Sequence, residues 1–282
     1  GGDAAASRVT MLSWNVLARN YTTYNAHFHC AAGPVEEPTQ TRDRYTIAGE
    51  EIVRRFADFV FLQECEPGFF SPEWNLAATK LLEAYDVYPC LQDSSRRPFT
   101  SILVKRGGAV EVLEQTPLLV GGTVATGGMS KTATVVRVQV GGRRFAVASV
   151  HFAWDGNARA RLRHAELLGD ALGEESAIIA GDFNCQPGRL LEALEGATFF
   201  RRLRRIALPP GSMTGLTGDF SKEVYIDHVY ISPELGDAKA LALGKPASPW
   251  GDKASGPANV TGASDHVPIS VELDLMLEPM EG

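Results

Sequence analysis

Short apolar runs rich in β-branched residues recur along the whole chain, at 9–14, 59–62, 100–104, 110–113, 133–140, 145–150, 177–180, 224–231 and 267–273. Each is bounded by Gly, Pro, Asp or Asn, the residues that punctuate strands. Gly141-Gly142 stands between two of these runs and predicts a hairpin turn. Between the runs, apolar positions repeat at helical spacing. Residues 43–56 place Ile47, Val53 and Phe56 near one face, and 74–85 and 158–172 read the same way. A further helix is predicted over 187–194, with Pro187 in its first turn. Strands outnumber helices, and hairpins are mixed with crossovers. That combination predicts an α/β fold in which two sheets pack face to face with helices outside, rather than one parallel sheet.

No internal repeat or linker divides the pattern. It predicts a single domain over 9–275, with 1–8 as a tail or an appended remnant (Gly1-Gly2 reads as a cloning scar) and 276–282 as a second tail. Residues 121–128 and 245–259 are rich in Gly, Pro, Ala and Ser and read as long loops.

Composition narrows the classes. A chain of 282 residues, 44% of them hydrophobic, supports a sizeable core. The formal net charge of −7 argues against a protein that coats nucleic acid through bulk charge. It leaves room for an enzyme acting on a phosphate, where local arginines and a metal ion supply positive field. Cysteines stand at 30, 65, 90 and 185 without a Cys-x-x-Cys pair, which argues against zinc fingers and redox dithiols. Scattered thiols predict a reducing, intracellular setting of unspecified compartment. No apolar run reaches the roughly 18 residues of a membrane span. Asn259-Val260-Thr261 matches a glycosylation sequon, a triplet common by chance.

The chemistry lies where the apolar runs stop. The first ends in Asn15, and Val60-Phe61-Leu62-Gln63 ends in Glu64. Ala148-Ser149-Val150 ends in His151, and Ile178-Ile179-Ala180-Gly181 ends in Asp182, followed by Phe183-Asn184. Val224-Tyr225-Ile226 leads into Asp227-His228, and Ser264-Asp265-His266 precedes the last run. A lone Asp after a strand is more often a turn former or a helix cap. Six polar strand ends in one chain point instead to groups that converge at one rim of a sheet. A set of carboxylates, amides and imidazoles without thiolates suits a hard cation, Mg²⁺ or Mn²⁺, better than zinc.

The ordered set Trp14-Asn15, Leu62-Gln63-Glu64, Val150-His151-Phe152, Gly181-Asp182-Phe183-Asn184, Ile226-Asp227-His228 and Ser264-Asp265-His266 resembles the endonuclease/exonuclease/phosphatase superfamily. The likeness spans about 9–273. It implies a four-layer α/β sandwich of two packed mixed β-sheets flanked by helices, and a metal-dependent phosphoric ester hydrolase. Under this resemblance Glu64 is the principal metal ligand, with Asn15 beside it on metal or phosphate and Asp265 on a second metal or orienting the first. Asp182 orients and deprotonates the attacking water, and Asn184 holds a phosphate oxygen. His266 contacts the phosphate while Asp227 keeps it charged and oriented. His151 donates to the phosphate from the other side.

Three features lean toward single-stranded RNA or a nucleotide as substrate. Asn15-Val16-Leu17-Ala18 with Tyr21, then Arg42 and Arg44, Leu62 to Glu66 and Phe69-Phe70, is similar to the deadenylase and nocturnin branch. So is the stretch from Thr214-Gly215-Leu216 to Phe220, although Ala153-Trp154-Asp155 replaces that branch's basic residues. Basic clusters at Arg96, Arg97, Lys105 and Arg106, at Arg159, Arg161 and Arg163, and at Arg201, Arg202, Arg204 and Arg205 are candidate guides for a phosphate backbone or contacts for a protein partner. Tyr21, Tyr24, Phe28, Phe99, Trp154 and Phe220 fall near rim loops, with Phe99 and Phe220 the candidates for a nucleobase pocket. The leading expectation is a 3′→5′ exoribonuclease, deadenylase-like or uridine-trimming. Alternatives are a phosphatase or phosphodiesterase on nucleotides, oligoadenylates or inositol phosphates, a tyrosyl-DNA phosphodiesterase or repair nuclease, and a catalytically dead scaffold.

Overall fold

The computed structural model describes residues 6–19, 36–90, 98–121, 131–153, 158–196, 199–216, 223–245 and 263–277. Two six-stranded mixed sheets form the centre of the described chain. One runs in the order β13 (Gly236–Ala242), β14 (Ile269–Met276), β1 (Ala6–Asn15), β2 (Phe59–Cys65), β4 (Phe99–Lys105), β3 (Tyr85–Pro89). The other runs β5 (Val110–Gly121), β6 (Lys131–Val140), β7 (Arg143–His151), β8 (Ala177–Asp182), β12 (Asp227–Ile231), β9 (Arg204–Arg205). Each sheet has one parallel pair, β1 with β2 and β7 with β8, joined by a helical crossover. Gly141 and Gly142, with φ of 54° and 85°, form the expected hairpin turn between β6 and β7.

Side-chain alternation builds the layers. Val9 and Met11 face between the sheets with Phe59, Phe61, Val136, Val147, Ile178 and Val229. Their neighbours Leu12, Trp14, Val60 and Leu62 face outward, against Tyr45, Ala48 and Ile52 of helix α1 (Pro38–Arg55) and Leu81 of α2 (Ala78–Ala84). On the other side Ala146, Ala148 and Ile179 meet Ala165, Leu168 and Leu172 of α3 (Ala158–Leu172) and Leu191 and Leu194 of α4 (Arg189–Gly196). Because both faces of the central strands are covered, they read as unbroken apolar runs. Pro38 opens α1, and Gln40 Oε1 accepts the Glu37 N–H at 2.9 Å.

Several element boundaries differ from the sequence reading. The run expected as one strand over 224–231 breaks at Tyr225-Ile226 into β11 (Glu223–Val224) and β12. Thr214 Oγ1, twelve residues upstream, accepts both the Ile226 and Asp227 N–H groups at 3.0 Å and so takes them out of the ladder. The β11 segment pairs instead with β10 (Gly215–Leu216). The helix expected over 74–85 is shortened to α2, because Asn75 folds a turn before it. Asn75 donates to Phe69 O at 2.7 Å and accepts the Ala77 N–H at 2.9 Å. Strands β3, β9 and β13 had no counterpart in the apolar pattern. Among the described residues, no helix is long and apolar enough to cross a membrane.

Candidate active site and metal centre

All the polar strand ends meet at one rim. Asn15 pairs with Gln63, the neighbour of Glu64, at the end of β1 and β2. His151 pairs with Asp182 at the end of β7 and β8. Asp227 opens the antiparallel β12 opposite Asp182, and the 264–266 segment enters β14 at the same edge, since β14 runs antiparallel to β1. The two sheets thus each deliver half of the site.

Local backbone strain aims these groups. A bulge interrupts the β2–β4 register between Leu62 and Cys65, and Glu64 within it has φ 56°. Leu17 and Asn184 are also left-handed, at 52° and 49°. Three non-glycine residues in this region beside one rim are the signature of strain held at a functional site. Gly181 precedes Asp182 with φ 147°, where a Cβ would sit 2.1 Å from Val150 O. Only glycine lets β8 approach β7 closely enough to set Asp182 beside His151.

The site is buried and tightly connected. Asn15 Nδ2 donates to Glu64 Oε1 at 3.0 Å and to Asp182 Oδ2 at 3.1 Å, while its Oδ1 accepts the Leu17 N–H at 3.0 Å. Asn15 therefore bridges the two carboxylates with its amide nitrogen. Its side-chain oxygen is engaged by the Leu17 backbone. Ala18 N–H reaches Glu64 Oε2 at 3.2 Å. His151 Nε2 lies 3.7 Å from Glu64 Oε1 and 3.5 Å from Asp182 Oδ2. Asp182 Oδ1 accepts the Asn184 N–H at 2.8 Å, and Asn184 Nδ2 donates to Phe152 O at 2.9 Å. His266 Nδ1 sits 2.8 Å from Asp227 Oδ2, and its Nε2 is 3.8 Å from Asp182 Oδ2. Burial opposes a charge on His266, but Asp227, Asp265 and Asp182 together raise its pKa well above the ordinary value.

Among the described residues, two groups of ligand atoms are close enough to share an ion: Glu64, His151 and Asp182, and Asp182, Asp227 and His266. Asp182 belongs to both. Carboxylate oxygens dominate and no thiolate takes part, so the donor chemistry fits a hard divalent cation. Asp265 is buried and belongs to neither group. Burial raises its pKa, and the charges of His266 and Arg44 oppose the rise.

Among the described residues, two of the basic clusters lie at the far end of the strands from this rim. Arg201 and Arg202 lie just before β9, which pairs with Tyr230 and Ile231 at the far end of β12 from Asp227. Arg202 bonds Gly173 O and Glu174 O, before the start of β8. Lys105 and Arg106 also sit at the far end, held by Asp58 and Asp86. Arg159 is exposed on α3, whereas Arg161 is buried and donates to Ala153 O at 2.7 Å. Phe99 stands opposite Cys65 near the rim, and its ring is buried in the cluster beneath α1. Arg96, Arg97, Phe220, Trp154, Tyr21, Tyr24, Phe28 and Cys30 lie outside the described residues. The cysteines at 65, 90 and 185 are free and buried.

Residues that the sequence reading missed support the site from behind. Gln63 Nε2 donates to Ser149 Oγ at 3.0 Å, and Ser149 Oγ donates to Leu62 O at 2.9 Å, tying the two sheets together under Glu64 and His151. Trp14 Nε1 holds His266 O at 2.9 Å. These contacts join distant segments, and no local sequence signal announces them.

The sequence profile of the endonuclease/exonuclease/phosphatase family matches residues 12–266. The chain belongs to that family. No curated protein matches it by sequence. Among solved structures it is similar to ANGEL2, described as a 2′,3′-cyclic phosphatase and solved with adenosine-2′,3′-vanadate, at 16% identity and TM-score 0.68, covering 96% of this chain and 97% of that one. It is similar to the human Nocturnin catalytic domain at 15% identity and TM-score 0.66, covering 95% and 93%. It is equally similar to D. rerio TDP2 complexed with a single-strand DNA product, at 14% identity and TM-score 0.66, covering 94% and 98%. These likenesses show the four-layer fold of the family. Proteins of differing activity match to the same degree, so the deadenylase and nocturnin branch is not singled out. Members of the family hydrolyse phosphoester bonds, typically with a divalent metal.

Proposed function

We propose that this chain is a Mg²⁺- or Mn²⁺-dependent phosphodiesterase that removes nucleotides from the 3′ end of single-stranded RNA. The observation that carries the chemistry is the convergence of Glu64, Asp182, His151 and the Asp227–His266 pair on one buried rim. In this reading Glu64 and Asp182 would hold the ion, which would polarise the phosphate and offset charge on the leaving oxygen. Asp182 orients a water and takes its proton. His266, kept as an imidazolium by Asp227, donates to a phosphate oxygen from one side, and His151 donates from the other. Asn184, whose Nδ2 spends one N–H on Phe152 O, would offer its second N–H to the same phosphate as a neutral donor. The RNA assignment is supported by the Asn15-Val16-Leu17-Ala18 and Leu62 to Glu66 stretches. It is also supported by the adenosine-2′,3′-vanadate, a ribonucleoside ligand, named for the ANGEL2 structure.

The test incubates the purified chain with 5′-labelled single-stranded RNA homopolymers, matching DNA and duplexes, with Mg²⁺ or EDTA. A Mg²⁺-dependent ladder of shortening RNA is expected. Cleavage confined to a mononucleotide, cyclic phosphate or inositol ester would reassign the substrate to a small molecule. Release of a tyrosine-linked 5′ DNA end would reassign it to DNA repair. Loss of all turnover in Glu64→Ala and in Asp182→Ala, with the fold retained, is expected in every case.

A further inference from the structure

Arg44 lies on the helix α1, outside the sheets, yet it is 4% exposed. All five of its N–H donors are used. Nε and Nη2 bond the two oxygens of Glu36, the latter at 3.1 Å, and Glu36 is itself buried. Nη1 donates to Val16 O at 3.2 Å and to Ala263 O at 2.8 Å, and Nη2 donates to Leu17 O at 3.0 Å. The guanidinium therefore joins two segments far apart in sequence. One is the turn after β1 that follows Asn15. The other leads into Ser264-Asp265-His266.

From these contacts we infer that Arg44 is a positioning residue for the catalytic rim, setting the orientation of Asn15 and Glu64 through the Val16-Leu17 turn. Leu17 adopts φ 52°, a conformation unfavourable for a leucine. That twist turns the Leu17 N–H onto Asn15 Oδ1 and the Ala18 N–H onto Glu64 Oε2. With its oxygen fixed, Asn15 presents Nδ2 to Glu64 and Asp182. Arg44 bonds the Val16 and Leu17 carbonyls, one in each peptide that flanks the Leu17 Cα, so it holds the twist in place. On its other side, Ala263 O is fixed to the same fork. The adjoining Ser264 Oγ donates to Asn15 O at 2.6 Å and accepts the His266 N–H at 3.1 Å. A lysine keeps the charge at this position but presents one ammonium in place of a planar fork, and it cannot reach three carbonyls and a carboxylate with that geometry.

The inference rests on the reading that Glu64 and Asp182 hold a divalent ion, and its test separates the two. Wild type, Arg44→Lys and Glu36→Gln are compared below their unfolding temperatures by calorimetric titration with Mn²⁺ and by amide hydrogen exchange. Arg44→Lys is expected to expose the Leu17 and Ala18 amides, speeding their exchange by about tenfold or more relative to Ala146 and Val147 in the core of β7. It is expected to weaken Mn²⁺ binding by about 10–100-fold, the usual cost of removing a group that orients metal ligands. Glu36→Gln keeps an acceptor for the fork and removes the charge, and it is expected to give the same pattern at smaller amplitude. Folded variants with unchanged Leu17 and Ala18 exchange and unchanged Mn²⁺ affinity overturn the positioning role and leave Arg44 as a structural ion pair. A wild type that binds no Mn²⁺ overturns the metal reading instead, and the exchange measurement still decides the role of Arg44. If Arg44→Lys does not fold, the exchange of Leu17 and Ala18 in Glu36→Gln decides it.

Discussion

His266 Nδ1 and Asp227 Oδ2 are 2.8 Å apart, and both side chains are almost wholly buried. Thr214 fixes the Asp227 backbone, and Trp14 fixes the His266 carbonyl, so neither partner is free to turn away. Asp227→Asn leaves the shape and removes the charge. Burial then acts on His266 with less opposition, and its pKa falls. The group's folded pKa is raised above its unfolded value, so its stabilising contribution is complete below about pH 6.5 and is lost as pH rises through the folded pKa. The variant should lose roughly 3–5 kcal/mol of stability on the acid side of that window and less above it. Denaturant unfolding at pH 6 and pH 9 measures this. The alkaline limb of the kcat/KM profile should also move to lower pH, and an unmoved limb would remove the imidazolium from the mechanism.

Gly215 packs flat against the His266 ring. A Cβ there would stand 3.0 Å from Cε1 and 3.1 Å from Nδ1. In Gly215→Ala the ring must therefore give by a few tenths of an ångström at the atom that bonds Asp227. We expect kcat to fall by about tenfold to a hundredfold, with a stability loss of about 1–3 kcal/mol at most. Steady-state kinetics and thermal unfolding on the same preparation check the pair of values. A wild-type kcat would show that the position of the His266 ring is not critical.

The residues of the rim were legible because the fold buries both faces of its central strands. That leaves continuous apolar runs, and a polar residue ending such a run stands out: Glu64 after Phe59 to Leu62, Asp182 after Ala177 to Ala180. Strand β13 was not legible, since Asp237, Ala238, Lys239 and Ala240 carry little strand preference and are held by backbone pairing to β14 at the sheet edge. The direction in which a cluster points was equally hidden. Arg201 and Arg202 follow a helix and precede a strand in sequence, and only the antiparallel pairing of β9 with β12 sends them away from the rim. Phe99 was placed near the rim by its position and taken into the core by its alternation along β4. The orientation of Asn15 depends on a left-handed Leu17 that no propensity predicts.

Asn15 separates two carboxylates with its amide nitrogen, 3.0 Å from Glu64 and 3.1 Å from Asp182. Asn15→Asp replaces two donated hydrogen bonds with a third negative charge. In EDTA the variant should lose roughly 1–3 kcal/mol or more, since each buried acceptor left without its donor costs about that amount. Saturating Mg²⁺ binds only the folded chain and should recover more stability in the variant than in wild type, because the added carboxylate strengthens the cation site. Thermal unfolding of both proteins with EDTA and with Mg²⁺ decides the matter. Identical Mg²⁺-induced shifts would mean that position 15 faces away from the bound ion.

His228, next to Asp227, is buried on the other face of β12, 4.8 Å from the Tyr225 ring, with Nε2 2.7 Å from Cys185 O. Burial pushes its pKa down to about 4, Arg205 adds to the fall, and the Cys185 carbonyl and Asp227 resist it. The unfolded imidazole takes up a proton near pH 6.5. Between pH 6.5 and 4 the unfolded chain therefore binds a proton that the folded chain refuses, and stability falls as the solution is acidified, by on the order of 3 kcal/mol over the whole window. The contribution of His266 is already complete below pH 6.5 and stays flat there, so the two histidines act in separate ranges. His228→Gln keeps a donor for Cys185 O and cannot titrate. Its unfolding free energy should fall less steeply than that of wild type between pH 6.5 and 4, while the two slopes agree between pH 7 and 8. Parallel curves across the acid range would show that the buried ring takes up its proton without cost to the fold.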